Sequence, residues 1–238
     1  MDKISLFDKK LLKEVAVSDE ELNTFIQRRL TGEPVAKIIG KKGFWKDEFI
    51  VSKDVLDPRP DSETLIEAVL EKFPDKDAPL RILDLGTGSG CLLLSLLGEY
   101  NNAMGVGLDI SEKALYIAKQ NAHTDRATFI QRDMRQDLSD LGKFDIMISN
   151  PPYIPTAEIQ MLERDVKDFD PILALDGGSD GLDFYRALAN QNLAPTLFIE
   201  IGKDQEKQII PIFEQQGWRF AQSWKDLGGI TRILYFIF

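Results

Sequence analysis

From residue 80 onward, apolar residues fall in short runs separated by turn formers and by segments with helical periodicity. The runs 80–85, 104–110, 127–133, 144–150, 196–202, 218–224 and 230–238 have the length and composition of strands. Between them, 90–99, 111–122, 180–192 and 204–216 read as helices. Repeated strand–helix alternation predicts a doubly wound, mostly parallel α/β sheet covered on both faces. In such sheets ligands bind beyond the carboxyl ends of the strands, where strand order reverses.

The front of the chain is organised differently. Two short helices are expected within residues 5–30. Ser18 and Glu21 have the spacing of a capping box, and Leu22, Phe25, Ile26 and Leu30 form one apolar stripe. Gly32 and Pro34 would end the second helix. Residues 43–52, with Phe44, Trp45, Phe49 and Val51, read as a hairpin. Asp61 or Ser62 would cap a helix over 63–73. The expected organisation is a helical appendage over residues 1–40, a hairpin linker over 41–58 and a main domain over 59–238. Arg28, Arg29, Lys37, Lys41 and Lys42 cluster in 28–42, which reads as a solvated helix end and loop or as a contact surface for an RNA-linked partner.

Composition narrows the chemistry. The formal net charge of −10 is opposite to what a duplex binder needs. One cysteine, Cys91, excludes an internal disulfide framework and a cysteine-based metal cluster, and packing as a small buried residue is expected for it. With one histidine, His123, there is no second imidazole for a zinc site, and a surface position at a helix end is expected for it. No apolar run is long enough to span a bilayer. Cytoplasmic localisation, no metal and no membrane association are expected.

The stretch RILDLGTGSG joins a strand to a helix through a glycine turn, formed by Gly86, Thr87, Gly88, Ser89 and Gly90. Asp109 ends the next strand, where an acidic residue meets ribose hydroxyls in dinucleotide folds. The third glycine comes one residue early for a dinucleotide loop, and the lysine of a phosphate loop is missing. A ribose-bearing cofactor without pyrophosphate fits, and S-adenosylmethionine meets that description. Asp84 would hold its ammonium group directly or through water, Asp109 its ribose, and Asp133 and Met134 would border its adenine.

The fourth predicted strand runs into SNPPYIP. A carboxamide or aromatic amine is a poor nucleophile because its lone pair is delocalised. A site can accept both of its N–H bonds and leave the lone pair aimed at a methyl group. The Asn150 oxygen is one such acceptor and the Pro151 carbonyl the second, with Pro151 and Pro152 fixing the backbone. Tyr153 would pack on the flat amide and face a sulfonium. Positioning then supplies most of the rate without a general base.

The stretches DLGTGSG, SNPPYIP, RRLTGEPVAKIIG, DPRPDSETLIEAVL and DPILALDGGSDGLDFYRAL together resemble the protein-(glutamine-N5) methyltransferases of peptide chain release factors, the HemK or PrmC family. The resemblance runs from about Arg28 to the C-terminus. It implies a seven-stranded methyltransferase sheet with its last strand antiparallel. It also implies methyl transfer from S-adenosylmethionine to the glutamine of a Gly-Gly-Gln motif, with release factors as partners. By position, residues 86–90, Asp109, Asp133 and Met134 match the cofactor site and residues 150–153 the glutamine site. Arg59 and Pro60, with Asp61, border both. Three features depart from the family: a shorter helical front, Asp57 where an apolar residue is common, and Met134 where an aromatic is common. Related chemistry on a ribosomal-protein glutamine or a nucleic-acid base amine is the alternative, and a non-catalytic binding module a further one. A monomer without sequence-specific nucleic-acid binding is expected.

Overall fold

The computed structural model describes residues 4–238. Helices α1 (Leu6–Val15), α2 (Asp19–Leu30) and α3 (Val35–Ile39) form the front. Ser18 Oγ accepts from Glu21 N at 3.2 Å, and the Glu21 carboxylate accepts from Val17 N at 2.8 Å. The capping pair therefore closes one residue earlier than the usual box. The five-residue α3 was not expected; Gly40, in the left-handed region, ends it.

Three cations of the basic segment are internal ties. Arg28 grips both oxygens of Glu33, at 2.8 and 2.6 Å, and Arg29 pairs with Asp8 at 2.8 Å. Lys37 is buried. The segment is therefore neither a plain solvated loop nor a free basic surface.

Strands β1 (Lys41–Phe44) and β2 (Asp47–Ile50) make an antiparallel hairpin that starts two residues before the expected one. Phe44 and Phe49 turn into the main core and meet edge to face at 6.1 Å. The hairpin is tied down at its turn, where Trp45 N donates to Glu63 and Trp45 Nε1 to Glu99.

The main sheet comprises β3 (Arg81–Leu85), β4 (Met104–Asp109), β5 (Ala127–Gln131), β6 (Ile146–Ser149), β7 (Thr196–Glu200), β8 (Arg219–Lys225) and β9 (Thr231–Ile237). Their order is β5-β4-β3-β6-β7-β9-β8, with β9 antiparallel to both neighbours. The chain runs outward from β3 to β5, then returns to lay β6 beside β3. That reversal opens a crevice at the carboxyl ends of β3 and β6.

Side chains alternate across the sheet. Ile82, Ile146, Ile148, Phe198 and Ile233 pack on the side of α4 (Glu63–Lys72) and α5 (Cys91–Glu99). Leu83, Met147, Leu197, Ile199 and Leu234 face α8 (Asp183–Ala189) and α9 (Glu206–Glu214). Each fully buried side chain of this kind contributes about 1.5–3 kcal/mol. Helix α6 (Glu112–Asn121) covers β4 and β5, and α7 (Arg164–Phe169) lies in the long connection after β6. No helix among the described residues is long and apolar enough to cross a membrane.

Candidate active site

The turn after β3 depends on its glycines. Gly86, Gly88 and Gly90 have φ of 80°, 55° and 81°, a region that disfavours side chains. A Cβ on Gly86 would lie 2.8 Å from Met134 Cε, whereas one on Gly88 would meet nothing within 4 Å. Gly88 thus faces open space. Its N–H donates to Asp109 Oδ2 at 2.9 Å, and Ser111 N donates to Asp109 Oδ1 at 2.9 Å. The Asp109 carboxylate is held by two backbone amides and keeps free lone pairs toward the crevice. Burial raises its pKa, opposed by those amides.

The crevice is open to solvent and is walled by Gly86–Ser89, Asp109, Asp133, Met134 and Asn150 among others. Strand β5 stops at Gln131, so Asp133 and Met134 lie in the loop beyond it. Arg135 grips both oxygens of Asp133 and lowers its pKa. Gln191 holds the same loop by donating to the carbonyls of Met134 and Gln136.

A second cavity of about 850 Å³ adjoins the first and includes Pro60, Pro151, Tyr153 and Glu200 in its wall. Asn150 and Arg59 belong to both walls. Asn150 follows Ile148 by one side-chain period, and Glu200 likewise follows Phe198. Both therefore emerge on the α4 side of the sheet, where Ser62 meets them. Ser62 Oγ donates to Glu200 Oε2 at 2.5 Å and accepts from Asn150 Nδ2 at 3.2 Å. Asp61 or Ser62 was expected to cap α4, but Ser62 has helical dihedrals (φ −71°, ψ −16°) and makes no capping bond; its hydroxyl bonds Glu200 instead. No described group donates to Asn150 Oδ1 or to the Pro151 carbonyl.

The Asn-Pro-Pro-Tyr loop is held from behind by residues 170–181. Ile154 N donates to Leu175 O and Gly177 N to Ile154 O, forming a short parallel bridge. Gly177 and Gly181 let this segment close: a Cβ on either would lie 2.9 Å from Pro152 O or 2.4 Å from Tyr153 O. Gln205 completes the support by donating to Tyr153 O at 3.0 Å. The helix expected over 180–192 therefore begins only at Asp183, since 177–182 serve as this brace.

Asp84 lies beneath the glycine turn and not in the crevice wall. It accepts from Thr87 Oγ1 at 2.7 Å while its Oδ1 has no partner, and burial pushes it up to about 7. The geometry brings together the other expected residues, with Arg59 and Pro60 at the border. Cys91 is half-buried in the crevice wall, and burial pushes its thiol up to about 12. His123 is exposed at the end of α6. Glu200, Ser62 and Gln191 were missed. Glu200 had a readable signal: a lone acid ending an apolar strand, as Asp109 does.

Asp57 has a partner. Lys37 Nζ lies 2.8 Å from Asp57 and 3.1 Å from Asp170, and donates to the carbonyls of Ser52 and Val55. Arg59 reaches the second oxygen of Asp170 at 2.5 Å. A buried cluster thus ties the front helices to the crevice rim.

A family model described as a methyltransferase domain matches residues 76–192. The release factor glutamine methyltransferase of Rhodospirillum rubrum is 44% identical over 236 residues, covering 94% of this chain and 71% of that protein. The enzyme of the same name from Bradyrhizobium diazoefficiens is 46% identical, covering 94% and 78%. Among solved structures, the hMettl16 catalytic domain in complex with an RNA hairpin superposes with a TM-score of 0.63 at 16% identity, covering 80% of this chain and 75% of that one. That likeness speaks for the fold alone. With identity this high over nearly the whole chain, the protein belongs to the release factor glutamine methyltransferase family.

Proposed function

We propose that the chain transfers a methyl group from S-adenosylmethionine to the side-chain nitrogen of the glutamine in a Gly-Gly-Gln motif of peptide chain release factors, in the cytoplasm. The observation that carries this reading is Asn150, standing in the shared wall of two adjoining cavities with its oxygen free of protein donors.

The first cavity suits the cofactor. The cradle at Gly88 is open, and Asp109 is pre-oriented for a ribose diol. The arginines in its wall, Arg59, Arg132 and Arg135, each pair with an aspartate, at 2.5, 2.7 and 2.7 Å. They leave no free cation for a pyrophosphate, which fits a cofactor without one. Met134 and the Asp133 loop border the place for an adenine. Asp84 supports the turn through Thr87.

The bound cofactor supplies an electrophilic methyl carbon on a positively charged sulfur. The chain supplies the orientation. Asn150 Oδ1 and the Pro151 carbonyl accept the two N–H bonds of the glutamine amide, and the Tyr153 ring packs on its plane. The nitrogen lone pair then points across the shared wall. Burial pushes the Tyr153 hydroxyl up to about 12, so it stays a neutral phenol and removes no proton. The surplus amide proton leaves to water once the nitrogen carries the methyl group. Residues 1–40 serve substrate docking in this reading.

Purified protein mixed with methyl-labelled cofactor and a release factor should label the glutamine of the Gly-Gly-Gln motif, read by peptide mass analysis. Labelling of a nucleic acid or a ribosomal protein, with the release factor untouched, would overturn the substrate assignment.

A further inference from the structure

We propose that Ser62 and Glu200 are positioning residues that lock the Asn150 amide with its oxygen, and not its nitrogen, toward the acceptor cavity. The inference deepens the reading of Asn150 as an acceptor and rests on it.

An asparagine amide has two faces of nearly equal shape and opposite polarity. A flip of the Asn150 side chain would present N–H donors to the substrate nitrogen, which carries N–H donors of its own. The chemistry fails in that orientation, so something must select the other. Ser62 Oγ has one hydrogen, and at 2.5 Å from Glu200 Oε2 it is committed to the carboxylate. Its lone pairs then accept only, and the group 3.2 Å away must donate. That group is Asn150 Nδ2, which leaves Oδ1 for the substrate. The Ser62–Glu200 pair lies away from water, 3% and 2% exposed, and Asn150 is half-buried above it. A buried mismatch of polar groups is costly, so the preference is strong.

The selection depends on charge. An ionised Glu200 can only accept. A protonated one donates to Ser62, which then turns its own hydrogen to Asn150 and draws Oδ1 inward. Burial pushes Glu200 up to about 7, against the bonds from Ser62 and Asn150 and the charge of Arg232, and Asp61 adds to the rise. Tyr153, Tyr185 and Cys91 also face it, and Tyr185 donates to its main-chain carbonyl at 3.0 Å. Protonation as pH falls through about 7 therefore releases the lock, and turnover falls with it.

The experiment compares Ser62→Ala, Ser62→Thr, Glu200→Gln and Asn150→Ala in single-turnover methylation of a Gly-Gly-Gln peptide, with cofactor affinity measured by calorimetry. Ser62→Ala should lower the rate by roughly tenfold or more with cofactor affinity unchanged, and Ser62→Thr, which keeps the hydroxyl, should recover most of it. Glu200→Gln, neutral and able to donate like the protonated acid, should run at the reduced low-pH rate and lose the acid-side fall. A native rate in Ser62→Ala, or equal losses in the alanine and threonine variants, would overturn the lock. So would a Glu200→Gln enzyme that keeps the native high-pH rate, or one that retains the acid limb. That last profile also decides the matter if Ser62→Ala does not fold. Should Asn150→Ala keep its turnover, the acceptor reading itself fails; should it lose turnover while Ser62→Ala does not, only the lock fails.

Discussion

At the scale of single residues, the site shows how one residue type serves several purposes. Asp84, Asp109 and Glu200 all lie at the carboxyl ends of apolar strands of one sheet, Asp84 one residue before the last. Asp109 is fixed by two backbone amides and faces the crevice. Asp84 is sealed under the glycine turn with one hydroxyl partner. Glu200 orients a neighbour. Strand position alone does not separate these uses; the parity of each side chain and the loop above it do. Removing the Asp109 carboxylate takes away the proposed ribose contact and also the tie on Gly88. Asp109→Ala should therefore weaken S-adenosylmethionine binding by roughly tenfold or more, a loss of about 1.5–3 kcal/mol for charge-assisted bonds. Calorimetry checks this, and unchanged affinity would refute the ribose assignment.

At the scale of elements, the brace behind the Asn-Pro-Pro-Tyr loop is the most exposed to single substitutions. Gly181 combines a φ of 75° with a backbone oxygen 2.4 Å from any added Cβ. Gly181→Ala should cost about 1–3 kcal/mol of stability and reduce turnover more than cofactor affinity, since it displaces Tyr153 and not the glycine turn. A denaturant midpoint and a calorimetric titration separate the two effects. All seven strands of the sheet were legible, because alternation and turn residues are local signals. So was the site's main corner, where glycines and prolines mark backbone that must bend. Helix α3 was not legible: five residues between Pro34 and Gly40 carry too little periodicity, and the helix is held by the burial of Lys37. The brace was hidden as well, because its backbone bonds join segments about twenty residues apart and leave no spacing pattern. Ser62 misled for a physical reason. A serine before a helix normally caps it from an extended backbone, but Ser62 has helical dihedrals at the end of a tight turn, so its oxygen is not aimed at the first amides of α4.

At the scale of the whole molecule, the buried trio of Lys37, Asp57 and Asp170, with the half-exposed Arg59 at its edge, joins three distant parts of the chain. Lys37 lies in the front helices, Asp57 and Arg59 at the entry to α4, and Asp170 just after α7. Lys37→Met would leave two buried carboxylates without their shared ammonium. A loss of about 3–5 kcal/mol is expected, as for other broken buried pairs, and urea unfolding measures it. Replacing Asp57 together with Lys37 by apolar residues should restore part of that loss, because the desolvated charge goes as well.

The two cavities share a boundary, with Asn150 seated in it beside Leu56, Arg59 and Ala174. A single synthetic molecule can therefore straddle it: an adenosine head on one side, a carboxamide tail on the other, and a short saturated tether through the gap. Such a hybrid would gain from both chambers at once, since linking two fragments removes the entropic cost of assembling them separately.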